Sequence, residues 1–235
     1  MSSVKLLALD TSSEGCSAAL LVDGKISERF EIAPRGHTKL LMPMVRELLA
    51  EANVAPSELD TVAFACGPGS FTGIRIATGV AQGLAWGLGV PVVPVSSLAT
   101  VAVGAIETMG VSEQGGVAVA FDARMGELYW GCFVCCDGLP VLRGVERVCA
   151  PSLVSLEGDA TVWSGAGRGW AFQQDMPAEV ADRVVAADDT LIPRAAWVAK
   201  LAELGFRNGQ AVPAEQAQPA YIRNEVAWKK LPGRE

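Results

Sequence analysis

Val4-Lys-Leu-Leu-Ala-Leu-Asp10 is a short apolar run closed by a carboxylate, and the two segments after it decide the fold. Cys16-Ser-Ala-Ala-Leu-Leu-Val22 is a second extended run, Asp23-Gly24 a two-residue turn, and Lys25-Ile-Ser-Glu-Arg-Phe-Glu-Ile32 a third strand. Asp-Gly is a strong hairpin signal because both turn residues need positive φ, which Asp tolerates and Gly adopts freely. The same order recurs in the second half. Gly116-Val-Ala-Val-Ala-Phe-Asp122 is again apolar and ends in a carboxylate, a long strand reaches Cys136, Asp137-Gly138 turns it, and Leu139 to Val148 returns. Three antiparallel strands, then alternating helices and strands, written twice, predict a duplicated α/β architecture with mixed sheets in two lobes. Two lobes of this kind leave a cleft, where ligands usually lie.

Outward from these strands, Pro34-Arg-Gly breaks the third, and Thr38 is expected to cap a helix running to about Ala52. Leu41, Met44, Val45, Leu48 and Leu49 fall at helical spacing, with Pro43 near the first turn, where proline does least harm. Thr61 to Cys66 reads as a strand, Gly67 to Gly73 as a loop, Ile74 to Gly87 as a helix and Val90 to Val95 as a fifth strand, with Ser96 capping the next helix. Further on, Pro151 to Leu156 reads as a helical turn, Ala160 to Ser164 as a strand, Gly165-Ala-Gly167-Arg-Gly169 as a loop and Pro193 to Phe206 as a helix. The expected lobes are residues 1–108, joined by the C-terminal segment 216–235, and residues 109–215, the more degraded copy.

Composition narrows the function. The chain has 235 residues, 50% hydrophobic and 19% charged, which excludes intrinsic disorder. A net charge of −7 lacks the basic footprint of a protein that binds nucleic acid alone. The uncharged stretch from Ile76 to Ile106 is broken by Pro91, Pro94 and several glycines, so no membrane span of roughly 20 apolar residues is expected. With no signal-peptide pattern at Met1, a cytoplasmic protein is expected. Cys132 and Cys135 sit on a predicted strand, where they point to opposite faces, so the six cysteines read as structural thiols.

Five segments together resemble the TsaB family, formerly called YeaZ. They are Asp10-Thr-Ser-Ser, Pro34-Arg-Gly-His-Thr38, Gly67-Pro-Gly-Ser-Phe-Thr-Gly-Ile-Arg75, Asp122-Ala-Arg-Met-Gly-Glu127 and Tyr221-Ile-Arg-Asn-Glu-Val-Ala-Trp-Lys-Lys230. The resemblance implies the actin-like, ribonuclease H-like two-lobed fold and a non-catalytic role beside a TsaD-type transferase. That transferase places a threonylcarbamoyl group on the adenosine next to the anticodon of tRNAs reading ANN codons. A TsaE-like ATPase would complete the system, tRNA would be met through the complex, and a homodimer is a possible free form. No cofactor and no resident metal are implied. Catalytic relatives carry His-His-Met-Glu-Gly-His where this chain has Ser96-Ser97-Leu98-Ala99-Thr100-Val101, and neither Ser97 nor Val101 is a metal ligand.

Each candidate site residue has a plainer reading beside the functional one. Asp10 and Thr11 match the acidic loop that organises metal and phosphate in actin-like ATPases, and equally a turn capping its own backbone. Gly67, Gly69, Ser70 and Gly73 can form a vestigial phosphate loop at a helix start or a tight strand-to-helix connection; without lysine the loop is no Walker motif. An ATPase or small-molecule kinase using Asp10 and this loop is the rival function. His37, the sole histidine, reads as a polar residue at a helix start near an interface. Gly79, Gly83 and Gly87 recur every four residues, one face of a helix without side chains, facing either another part of the lobe or a partner helix. The resemblance places the partner on this helix and its predecessor, with Arg75, Gly79 and Gly83 beside the stripe of Leu41, Met44, Val45 and Leu48; the plainer reading of that stripe is core. Arg223, Lys229, Lys230 and Arg234 form a basic island, read as a solvated terminus or a tRNA or partner contact.

Overall fold

The computed structural model describes residues 4–222. β1 (Leu6–Asp10), β2 (Gly15–Val22) and β3 (Lys25–Ile32) form an antiparallel meander with Leu6 opposite Leu21 and Val22 opposite Lys25. The turn holds Asp23 at φ 51° and Gly24 at φ 74°, the left-handed pair for which Asp-Gly is suited. After α1 (His37–Glu51), β4 (Thr61–Gly67) pairs parallel with β1; after α2 (Phe71–Leu88), β5 (Val92–Ser96) pairs parallel with β4. The sheet order is β3-β2-β1-β4-β5. α3 (Ser97–Thr108) leads into β6 (Gly116–Asp122), β7 (Leu128–Cys136) and β8 (Leu139–Cys149), a second meander turned by Asp137 at φ 52° and Gly138 at φ 73°. β9 (Trp163–Ala166), α4 (Ala178–Arg183), β10 (Val184–Asp188) and α5 (Ala195–Arg207) come after it. The second sheet runs β8-β7-β6-β9-β10, strand for strand the order of the first. The fold is therefore a duplicated α/β fold with two mixed sheets, as expected.

Strand alternation assigns the layers. On β1, Leu7 and Leu9 pack with Leu41 and Leu48 of α1 and Ala77 and Ala81 of α2, while Leu6 and Ala8 pack with Val198, Ala199 and Ala202 of α5. In the second sheet, Val117 and Val119 pack with Leu98, Val101 and Ala105 of α3, and Ala118 and Ala120 face Trp130, Trp170 and Val180. The two inner helices touch. A Cβ on Gly104 of α3 would lie 2.5 Å from the ring of Trp197 on α5, so glycine allows this seam to close.

This seam corrects the expected division at residues 108 and 109. α3, from the first half of the chain, covers the second sheet, and α5, from the second half, covers the first. After α5 the described chain packs on the first sheet: Val212 bridges Val92, Ala214 and Ala217 join its core, and the Ala220 amide donates to the Cys66 carbonyl at 2.8 Å. The remainder of the expected join over 216–235, from residue 223 onward, lies outside the described residues.

Several ends also move. α1 starts at His37 with Gly36 before it and no side-chain cap, rather than at a Thr38 cap. α2 starts at Phe71 because the Ser70 hydroxyl accepts from Gly73 N, and it stops at Gly89, φ 69°. Ser96 does cap α3, accepting from Leu98 N at 3.1 Å and Ala99 N at 3.2 Å. The turn at Pro151 ends at Leu153 as a single 3-10 turn, and β9 starts at Trp163, not Ala160. α5 starts at Ala195 without a side-chain cap of its own. Instead Ser17 Oγ accepts from Ala195 N at 2.9 Å and Glu28 Oε1 from Ala196 N at 2.9 Å, so two sheet residues satisfy the first helical amides.

Candidate functional site

The loops at the ends of β1 and β4 lock together. Ser12 donates to Asp10 Oδ1 from its amide at 3.0 Å and its hydroxyl at 2.6 Å, closing a turn on itself. Thr11 Oγ1 donates to the Gly73 carbonyl at 2.7 Å, and Ser70 N to the Ser12 carbonyl at 2.8 Å. A Cβ on Gly69 would lie 2.3 Å from Ser12 O, and one on Gly73 would lie 2.0 Å from Thr11 O. These two glycines let one backbone lie directly on another. Of the two readings of Thr11, Gly69 and Gly73, these contacts match the tight strand-to-helix connection, in which the backbone of residues 11 and 12 lies against both glycines. Gly67, at φ 121°, is likewise covered, by the Ala220 carbonyl. Asp10 is fully buried with Oδ2 unpartnered, and burial pushes its carboxyl up to about 6.

Beyond these loops lies the interlobe cleft, about 1070 Å³. Gly69 and Ser70 border it, while Asp10, Thr11, Gly67 and Gly73 do not. Its charged groups are largely matched, with Arg168 paired to Glu14 and Arg124 to Asp122. His37 lines the cleft but is only 8% exposed, with Nε2 buried and unpartnered. That corrects the expectation of His37 on a contact surface: it supports the cleft wall from behind. Among the described residues, no group of three or more His, Cys, Asp or Glu could hold a metal ion. Cys132 and Cys135 pack into opposite faces of the second sheet, and burial pushes the Cys66 thiol to about 12 and the Cys16 and Cys132 thiols to about 11.

The helical face is more telling. Leu41, Met44, Val45 and Leu48 are all buried against the first sheet, each burial contributing about 2 kcal/mol. The expectation that this stripe forms contact surface is corrected, because its apolar area is already committed to the lobe core. α2 is different. Ala77, Ala81 and Ala85 face inward, whereas nothing lies within 4 Å of a Cβ built on Gly79, Gly83 or Gly87. The glycines therefore face outward in the free chain, and no strand or helix among the described residues explains them. Phe71 and Trp86, at the two ends of the helix, are 64% and 69% exposed. Arg75 lies between Phe71 and Tyr221, its Cζ 3.4 Å from the first ring centroid and 5.3 Å from the second. The resemblance pointed to the glycines and Arg75; the aromatic ends at Phe71 and Trp86 were missed, since exposure cannot be read from spacing alone. The basic island from Arg223 lies outside the described residues.

Known proteins bear on this geometry. The family model of TsaD, tRNA N6-adenosine threonylcarbamoyltransferase, matches residues 30–136. The tRNA threonylcarbamoyladenosine biosynthesis protein TsaB of Escherichia coli (strain K12) is 39% identical over 99% of this chain and 100% of its own length. The protein of the same description from Haemophilus influenzae is 37% identical over 100% of both chains. A solved structure of YeaZ from Pseudomonas aeruginosa superposes with a TM-score of 0.88 at 47% identity, covering 93% of this chain and 100% of that one. With full-length likeness in sequence and in structure, the chain belongs to the TsaB family.

Proposed function

We propose that the chain is a non-catalytic subunit in the biosynthesis of tRNA threonylcarbamoyladenosine, docking through the outer face of α2 on a TsaD-type transferase. The pathway follows from full-length likeness to the two TsaB proteins named for it. The docking mode rests on one observation, a glycine-lined helix face that nothing among the described residues covers. Isolated glycines cost a helix about 1 kcal/mol each relative to alanine, a cost that close approach of a second helix would offset. Two features favour a supporting rather than a catalytic role. The Gly67–Gly73 loop has no lysine and packs Gly69 and Gly73 on the residues 11–12 backbone, and Ser97 and Val101, which the resemblance places at the histidine positions of catalytic relatives, are buried in α3, Val101 against the second sheet. A TsaE-like ATPase, tRNA met through the complex, a free homodimer and a cytoplasmic location belong to the same proposal. For the last, no helix among the described residues is long and apolar enough to cross a membrane.

The test is threonylcarbamoyl incorporation into tRNA, supplied with the activated donor, by the chain alone, by the TsaD-type transferase alone and by both. Incorporation is expected only when the transferase is present, and faster with both. Incorporation by the chain alone would sink the supporting role.

A further inference from the structure

We propose that Phe71, Arg75 and Tyr221 form a clamp that presents one guanidinium to a carboxylate on the docking partner's helix, with Tyr221 as a positioning residue; this rests on the docking face above. Phe71, Arg75, Gly79, Gly83 and Gly87 succeed one another at four-residue steps, so the clamp and the glycine track share one ridge of α2. A helix lying along the glycines runs onto the clamp at the N-terminal end. Arg75 is the only charged side chain among the 18 residues of α2. Among the described residues no ion pair involves it.

Tyr221 does not drift to this place. Ala220 N donates to Cys66 O at 2.8 Å, and a Cβ on Gly67 would lie 2.8 Å from Ala220 O, so the preceding residue lies hard against the end of β4. From there the Tyr221 ring leans on Phe71, centroids 6.3 Å apart and tilted by 40°. A guanidinium stacked on a ring keeps its N–H edges for a carboxylate, which takes them two at a time. Holding it before the partner arrives lowers the ordering cost of the contact. The anion is a protein carboxylate rather than RNA phosphate for two reasons. A polyanion needs several cations in concert, and this ridge offers one. The chain's net charge of −7 also repels nucleic acid.

The experiment measures affinity of the whole chain for the cognate TsaD-type transferase at low and high salt, with melting of each variant alone. Arg75→Gln is expected to weaken binding about tenfold at low salt and to flatten its salt dependence. Tyr221→Ala should weaken it about threefold to fivefold and Tyr221→Phe should retain the stack and the affinity. Gly83→Leu should weaken binding about 5- to 150-fold without lowering the melting temperature. Wild-type affinity in Arg75→Gln at both salt levels, alongside a weak Gly83→Leu, would overturn the clamp and leave the docking face standing. Wild-type affinity in Gly83→Leu as well would overturn the face itself. If Arg75→Gln binds the transferase normally but the assembled complex retains less tRNA, the anion is a phosphate and the proposal is wrong. If Tyr221→Ala matches wild type while Arg75→Gln is weak, Tyr221 has no positioning role.

Discussion

Replacing Asp10 by Asn tests whether the buried carboxylate is held at the expense of stability. Asp10 is fully buried, accepts both its hydrogen bonds on Oδ1, and has no cation to offset its charge among the described residues. Burial moves its carboxyl from 3.8 to about 6. A carboxyl raised on folding favours the protonated folded form, so the penalty is absent below the unfolded value, grows as pH rises through this interval, and is complete above the folded value. At about 1.4 kcal/mol per pH unit the interval amounts to roughly 3 kcal/mol. The asparagine amide introduces a donor beside a site that held an orphan oxygen, a cost of about 1–3 kcal/mol, but that cost does not change with pH. The quantity to measure is therefore the stability of Asp10→Asn minus wild type by urea unfolding at pH 4.5, 6 and 8. It should rise across this range by about 2 kcal/mol in the variant's favour, most of it between pH 4.5 and 6, and then level off. A difference that stays flat, or that falls with rising pH, refutes the account of an uncompensated buried carboxylate.

Two further outcomes concern the same loops and core. Gly73→Ala places a methyl 2.0 Å from the Thr11 carbonyl, so it should cost about 1–3 kcal/mol by denaturant unfolding, where Gly79→Ala, with nothing within 4 Å, should be neutral or slightly stabilising. At pH 8, Cys16, Cys66 and Cys132, pushed up to about 11–12 by burial, should resist alkylation in the native chain and react on unfolding, as read by intact mass.

The repeated meander was legible because its signals are local. Asp23-Gly24 and Asp137-Gly138 demand left-handed backbone whatever surrounds them, and the apolar runs ending in Asp10 and Asp122 need only their own alternation. β10 was not expected, because only Val184 of its five residues is buried, and an exposed edge strand carries little alternation. The stripe on α1 announces burial but not what buries it; the first sheet does, and no partner is needed. The glycines of α2 posed the reverse problem. Their spacing marks a face without side chains, but only the inward alanines at 77, 81 and 85 decide that this face points out. The loop glycines 69 and 73 read equally as an anion cradle or a tight connection, because close backbone approach and phosphate approach ask for the same residue. The cap of α5 was invisible for a simpler reason, since Ser17 and Glu28 lie far away in the sequence.

The exchange of inner helices has a consequence during synthesis. All strands of the first sheet are made once the ribosome passes Ser96, yet the helix that covers their inner face ends only at Arg207. At about 5–20 residues per second the gap lasts on the order of ten seconds. Through that interval Leu6, Ala8, Ala19, Leu21, Ala63 and Ala65 lack their final cover. The N-terminal half therefore cannot mature as an independent unit ahead of the C-terminal half. A nascent chain stalled before α5 would offer its apolar sheet face to chaperones, and the same half expressed by itself would aggregate unless α5 were supplied in trans.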